Sequence, residues 1–208
     1  MSQSVERILY WALIIAAVLL FVVAGLVGGP DNMRDVAAMH SLGAERAAQI
    51  GLTGQAIVIT RFGGAPYLFG ILLIAVALLA YARRWRSAIS LAGIVLGGRI
   101  AVEALKLAIE RPRPHFSPYP VEIASLSFPS GHAANSMITF LALALILAPA
   151  RYRAAAVAAA TAASVLIGST RPLLGVHWPS DVVGGWAFGL AWVVIGVDLS
   201  RRWIATPK

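Results

Sequence analysis

The sequence predicts an all-α integral membrane protein, a single domain over residues 1–208 with six transmembrane helices in a bundle. Three observations carry that expectation. Hydrophobic residues make up 59% of the chain and charged ones only 12%, whereas soluble domains are typically about 45–50% apolar. Too few polar residues are left to cover a water-facing surface. The apolar residues gather into six runs close to the ~20 residues that a spanning helix needs. Arginines then mark alternate connections between those runs.

The runs lie at about 8–27, 66–82, 88–109, 132–148, 154–169 and 182–199. The first is too long for a signal-peptide core and no clear cleavage pattern follows it, so it is expected to remain as a span. The second is short, with room for a further turn upstream of Pro66. Arg83, Arg84 and Arg86 crowd the second connection, Arg151 and Arg153 mark the fourth, and Arg201, Arg202 and Lys208 follow the last span. The positive-inside rule places these loops, the N-terminus with Arg7 and the C-terminus in the cytoplasm. The first, third and fifth connections then face outward.

The first connection, 28–65, is long. Val36, Met39, Leu42, Ala47 and Ile50 recur in it at roughly helical spacing beside Arg34, Asp35, Glu45 and Arg46, which predicts a short helix on the outer membrane surface. As a tether or as a lid it is equally well accounted for. Gly185 and Gly189 form a GxxxG pair in the last span and point to close helix packing.

The net charge of +8 would suggest nucleic acid in a soluble protein. Here the cations sit in short loops and no basic run is interleaved with aromatics, so the expected partner is the bilayer and not nucleic acid. Nothing in the composition bears on oligomeric state. The chain has no cysteine, which excludes disulfides and thiolate metal sites.

Most of the remaining polar chemistry falls in three stretches, all in or beside the third and fifth connections. The first holds Lys106 and Arg113-Pro114, the second is Pro129-Ser130-Gly131-His132, and the third holds Arg171, His177 and Asp181. Ser130 is a favoured N-cap and Gly131 allows close approach to the backbone, so the unpaired amides that follow form an anion site. His132, in that first turn, could equally be a helix-end side chain reaching headgroup water. Pro179 suits the first turn of a helix, and the four-residue spacing can bring Asp181 beneath His177. The carboxylate would fix the imidazole tautomer and leave the other nitrogen free to attack. Alone, Asp181 could serve a helix dipole. A site of two histidines and Asp181 could also hold a metal, but three nearby cations already supply that charge. Lys106 could simply snorkel to the interface. Together, Lys106, Arg113 and Arg171 would neutralise a phosphoryl group.

The pattern Lys106-x6-Arg113-Pro114, Pro129-Ser130-Gly131-His132, Arg171-x5-His177-x3-Asp181 resembles the type-2 phosphatidate phosphatase superfamily. That group holds membrane lipid phosphatases and, more distantly, vanadium haloperoxidases. The motifs span Lys106 to Asp181, and the six-span layout covers the rest. The resemblance implies that His177 is the nucleophile forming a phosphohistidine, that Asp181 orients it, and that His132 is the general acid. It implies that Lys106, Arg113, Ser130, Gly131 and Arg171 cradle the phosphoryl oxygens, with no metal or other cofactor. The family usually has serine before the third-motif arginine. Thr170 stands there, which puts fine geometry in question.

Arg99 and Glu103 share the third span with Lys106. Charges at membrane depth cost about 2.5–3.5 kcal/mol each, so an Arg99–Glu103 ion pair is expected, with Glu103 also steadying Lys106. Both, like Thr170, are expected behind the substrate-contacting groups. Arg111 and His115 read as solvated loop residues, and His40, Glu110 and Glu122 carry no assigned role. Asp198 is expected to pair with Arg201 or Arg202.

The function expected is that of an integral lipid phosphate or pyrophosphate phosphatase at the extracytoplasmic face of the cytoplasmic membrane. Undecaprenyl pyrophosphate and phosphatidylglycerophosphate are its expected substrates, not separable from sequence. A lipid transporter or flippase using the same cations, or a haloperoxidase-like enzyme, are the alternatives.

Overall fold

A computed structural model of the chain describes residues 3–115, 119–121, 123 and 125–205. Glu122 and Lys208 lie outside the described residues, as does the side chain of Ile50. The order is α1 (Gln3–Val27), α2 (Met33–Ala48), α3 (Ile50–Arg61), α4 (Ala65–Tyr81), α5 (Trp85–Ile109), α6 (Gly131–Leu147), a 3₁₀ turn (Ala150–Tyr152), α7 (Arg153–Leu173) and α8 (Pro179–Ala205). Where lipid offers no hydrogen bonds, a helix satisfies its own backbone. The described residues accordingly hold only helices and their connections.

Five segments are long and apolar enough to cross a bilayer: Ser4–Val27, Gly51–Tyr81, Trp85–Ile109, Ala150–Leu173 and Pro179–Ala205. The other expected span, α6, has 17 residues and at ~1.5 Å per residue is a few ångströms short of the hydrocarbon thickness. It is also the enclosed helix, packed against α4, α5, α7 and α8, with most of its residues buried. A helix walled in by protein need not match the bilayer itself. Its neighbours turn residues such as Leu73, Ile100, Leu166 and Leu199 outward, as faces meeting acyl chains do.

The backbones approach closely where side chains are smallest. A Cβ on Gly185 would lie 2.8 Å from the Ser130 carbonyl oxygen, and one on Gly189 would lie 2.9 Å from that of Ala134. The GxxxG pair therefore seats α8 on α6, as its spacing predicts. Gly168 likewise admits the Trp186 ring, which would stand 2.6 Å from a Cβ there. The Trp186 indole N–H meets the Ser164 carbonyl at 3.0 Å.

The first connection departs from expectation. It contains two helices, and α3 leads into α4 with a break over Phe62–Gly64, where Pro66 occupies the first turn of α4. Nor is α2 a tether: Asp35 and Met39 are buried, and α2 packs on α7 and α8. The Arg46 guanidinium donates to the Leu173 carbonyl at 3.1 Å. Asp35 is one of the charged residues of the predicted surface helix. It accepts from the amides of Gly29 at 2.7 Å and Ser180 at 3.1 Å and from the Ser180 hydroxyl.

Candidate active site

Alternating helix directions bring the C-terminal ends of α5 and α7 and the N-terminal ends of α6 and α8 to one end of the bundle. Lys106, Arg171, Ser130-Gly131-His132 and Asp181 occupy those four ends. Between them lies a cavity of about 190 Å³ whose walls include Lys106, Arg113, Gly131, His132, Arg171 and His177.

His177 is 2% exposed and Asp181 is fully enclosed. The His177 Nδ1 lies 3.3 Å from Asp181 Oδ2, the contact that four-residue spacing predicts. On the other side of the ring, Arg113 Nη1 is 3.1 Å from Nε2. A guanidinium can only donate, so Nε2 presents its lone pair and Nδ1 carries the proton towards Asp181. Burial, then the positive charges of Arg113, Arg171 and Lys106, push the His177 pKa well below its ordinary 6.5. The ring is thus neutral, with its Nε2 lone pair held in a fixed direction.

Asp181 is held from several directions. It accepts from the Trp178 amide at 2.9 Å, from the Ser127 hydroxyl, and from Arg111 Nη1 at 2.8 Å. Arg111 is not the solvated residue expected. It is 6% exposed, donates to the carbonyls of Ala24 and Gly25 at 2.9 and 2.7 Å, and lies 4.4 Å over the Phe128 ring. A buried carboxylate needs a paired charge, and in Arg111-Pro112-Arg113-Pro114 alternate arginines serve opposite sides of the His177–Asp181 pair. His115 is exposed, as expected.

The three expected phosphate cations are present with different freedom. Arg113 is anchored to backbone, donating to the carbonyls of Ser125 (2.6 Å), Val176 and Leu126. Burial lowers its pKa. Lys106 Nζ donates to Ser125 Oγ at 2.8 Å and faces Glu103 at 3.6 Å. Arg171 donates from Nη1 to Thr60 Oγ1 at 2.8 Å, while its buried Nε has no partner. Ser130 is the residue before α6, but its hydroxyl makes no capping bond and is buried without a partner. Its amide instead donates to the Asp181 carbonyl at 3.0 Å and ties α6 to α8. A Cβ on Gly131 would come within 3.4 Å of Lys106 Nζ, so glycine leaves the ammonium room. The following amides lack intrahelical acceptors, and with Arg171 and Lys106 they can grip an oxyanion. His132 lines the cavity beside them.

One further expectation is corrected. Among the described residues Arg99 and Glu103 form no ion pair; Glu103 turns to Lys106, and Arg99 lies 5.0 Å over the Phe69 ring. The Thr170 hydroxyl donates to the Ile167 carbonyl at 2.6 Å, so it is spent on its own helix. Asp198 does meet Arg202, at 2.7 Å. Sequence reasoning missed Ser125, Ser127, Asp35 and Thr60. The serines stand just before the second motif, where their position was the available signal. Thr60, within an apolar helix, offered none.

The chain matches the family model described as the PAP2 superfamily over residues 87–204. It is 34% identical over 139 residues to phosphatidylglycerophosphatase B of Bacillus subtilis, covering 64% of this chain and 67% of that protein. It is 26% identical over 195 residues to an undecaprenyl-diphosphatase of Sulfolobus acidocaldarius, covering 88% and 87%. Lipid A 1-phosphatase of Rhizobium etli matches at 39% over 114 residues, 50% of this chain and 46% of that one, so the chain spans about half the length of that relative. Among solved structures, the crystal structure of a transmembrane PAP2-type phosphatidylglycerolphosphate phosphatase from Bacillus subtilis superposes with a TM-score of 0.83. Its identity is 26%, covering 91% of this chain and 96% of that one. Motif order, helical architecture and similarity agree: the chain belongs to the PAP2 superfamily, as a membrane-embedded phosphoric-ester hydrolase.

Proposed function

We propose that this protein removes the terminal phosphate from a membrane lipid through a phosphohistidine on His177. The observation that carries the reading is His177 itself, its Nδ1 backed by Asp181 and its Nε2 turned towards a cavity lined by cations. Nε2 attacks phosphorus, the bond to the leaving oxygen breaks, and His132 gives that oxygen a proton. Water then attacks phosphorus, the N–P bond breaks, and His132 takes up the proton released. Lys106, Arg113, Arg171 and the Ser130-Gly131 turn hold the three peripheral oxygens throughout. Phosphoryl transfer is mostly such positioning and charge stabilisation, and no metal is required. The substrates named for the relatives support phosphatidylglycerophosphate or undecaprenyl pyrophosphate here. Arginine-rich loops support six spans, α6 included, with both termini cytoplasmic and catalysis at the outer face of the cytoplasmic membrane.

Phosphate release by purified protein in chelator, from a panel of lipid phosphates, tests the reading. His177→Ala is expected to lower kcat by roughly 10⁴-fold or more, and vanadate to inhibit as a five-coordinate phosphorus mimic. Undiminished release from His177→Ala overturns the nucleophile. Loss of activity in chelator overturns metal independence, and lipid movement without phosphate release overturns hydrolysis.

A further inference from the structure

Arg99 stands two turns from Lys106 on α5, away from the end where the motifs meet, and at ~1.5 Å per residue that is about 10 Å along the axis. It lines the reaction cavity and also borders a recess of only about 10 Å³ among α4, α5 and α6, formed by Leu68, Phe69, Val95 and Thr139. Asn135 borders both spaces. Among the described residues the Arg99 guanidinium has no carboxylate within 4.0 Å and no hydrogen bond, only the Phe69 ring face at 5.0 Å. Glu103, four residues on, is directed to Lys106. Beside it are two oxygens that lack donors. Asn135 Oδ1 belongs to a side chain 8% exposed, and Thr139 Oγ1, one turn further along α6, to one 1% exposed, and neither atom has a partner. A membrane-depth cation without an anion and buried acceptors without donors are both costly to leave empty.

The complementary ligand carries an anion for Arg99 and a hydroxyl for Asn135 or Thr139. It carries them several bonds from the phosphoryl group at His177. In a diphosphate the second phosphorus is one bridging oxygen from the first, within the cations already gathered around His177, and an isoprenoid tail has no hydroxyl. A phosphodiester joined to the terminal phosphate through a hydroxylated glycerol unit has both groups, in the order met from His177 towards Arg99. Resting on the lipid phosphatase reading above, we propose that Arg99 and Asn135 form a subsite for a polyol-bridged phosphodiester. Arg99 is then a specificity-determining residue that selects lipids with a separated second phosphate.

The test compares kcat/KM in detergent micelles for phosphatidylglycerophosphate, phosphatidate and a polyprenyl diphosphate, in wild type, Arg99→Gln and Arg99→Lys. Arg99→Gln is expected to lower the ratio of phosphatidylglycerophosphate to phosphatidate turnover by roughly tenfold or more, the scale of one charge-assisted contact. The change should fall mainly in KM, with Arg99→Lys recovering part of it and the diphosphate following phosphatidate. An unchanged ratio, with all three substrates falling together, overturns the subsite in favour of helix packing. A larger loss for the diphosphate overturns the separation argument. If wild type releases phosphate from none of the lipids, the phosphatase reading itself fails and the subsite with it. Activity with an unmoved ratio removes the subsite alone.

Discussion

His177 lies between a carboxylate that accepts from one ring nitrogen and a guanidinium that caps the other, so its tautomer follows from neighbours that can play only one role each. Arg113 serves twice, orienting the lone pair and adding positive charge that opposes imidazolium formation. Protonation removes the lone pair, and burial with Arg113, Arg171 and Lys106 drives that protonation to lower pH. The acid limb set by His177 should therefore lie well below the ordinary imidazole pKa of about 6.5, while any decline at high pH belongs to loss of the His132 proton. The acid limb of kcat/KM, which reports the free enzyme, measures this. Arg113→Gln should lower the rate and also move the limb upward towards 6.5, because one opposing charge is gone. An acid limb already at 6.5 in wild type would contradict the arrangement. The His177–Asp181 contact was readable from a four-residue spacing. Arg111 behind Asp181 was not, because adjacent Arg-Pro pairs look alike until the path of the chain assigns each a side.

At the scale of helices, the site is assembled by the contact of α8 with α6. Gly185 carries much of that contact, since its backbone lies against the Ser130 carbonyl and the first turn of α6. An added Cβ would meet the Ser130 oxygen at 2.8 Å, the Ala133 Cβ at 3.0 Å and the Ala134 nitrogen at 3.2 Å. None of these is a flexible side-chain end. Gly185→Ala is expected to cost about 1–3 kcal/mol, the usual scale of overpacking, read as a lower unfolding temperature in detergent. Because the displaced atoms belong to the turn proposed to hold phosphate, kcat should fall too. Gly189→Ala meets the Ala134 carbonyl and Met137 one turn further from the site and should lose stability with less loss of kcat. Equal kcat loss in both would indicate a general loosening of the bundle. The glycine spacing announced close packing. What it packed against was left open, because GxxxG names one face of a helix and not its partner.

For the molecule as a whole, the charge asymmetry of the loops predicts one orientation in the membrane. The absence of cysteine makes a direct measurement clean, since a single introduced thiol is the only one to react. Asp31→Cys lies in the exposed connection between α1 and α2, and Arg84→Cys in the exposed connection between α4 and α5. A membrane-impermeant maleimide on intact cells should label the first, and should reach the second only after permeabilisation. The reverse pattern would place catalysis on the cytoplasmic face.

The sequence by itself determined the membrane class, the order of apolar helices, the convergence of three polar motifs and the pairing of His177 with Asp181. Each of these is local. An apolar run of spanning length has few solutions in a bilayer, and His177, two residues before α8, stays within reach of a carboxylate in that helix's first turn. Only the tertiary structure decided which groups stand behind the site. Arg111 reaches Asp181 across 70 residues, Thr60 reaches Arg171 across 111, and Asp35 reaches Ser180 across 145. It also turned Glu103 away from Arg99. No periodicity encodes such contacts, because they depend on which helix faces meet once the bundle has closed.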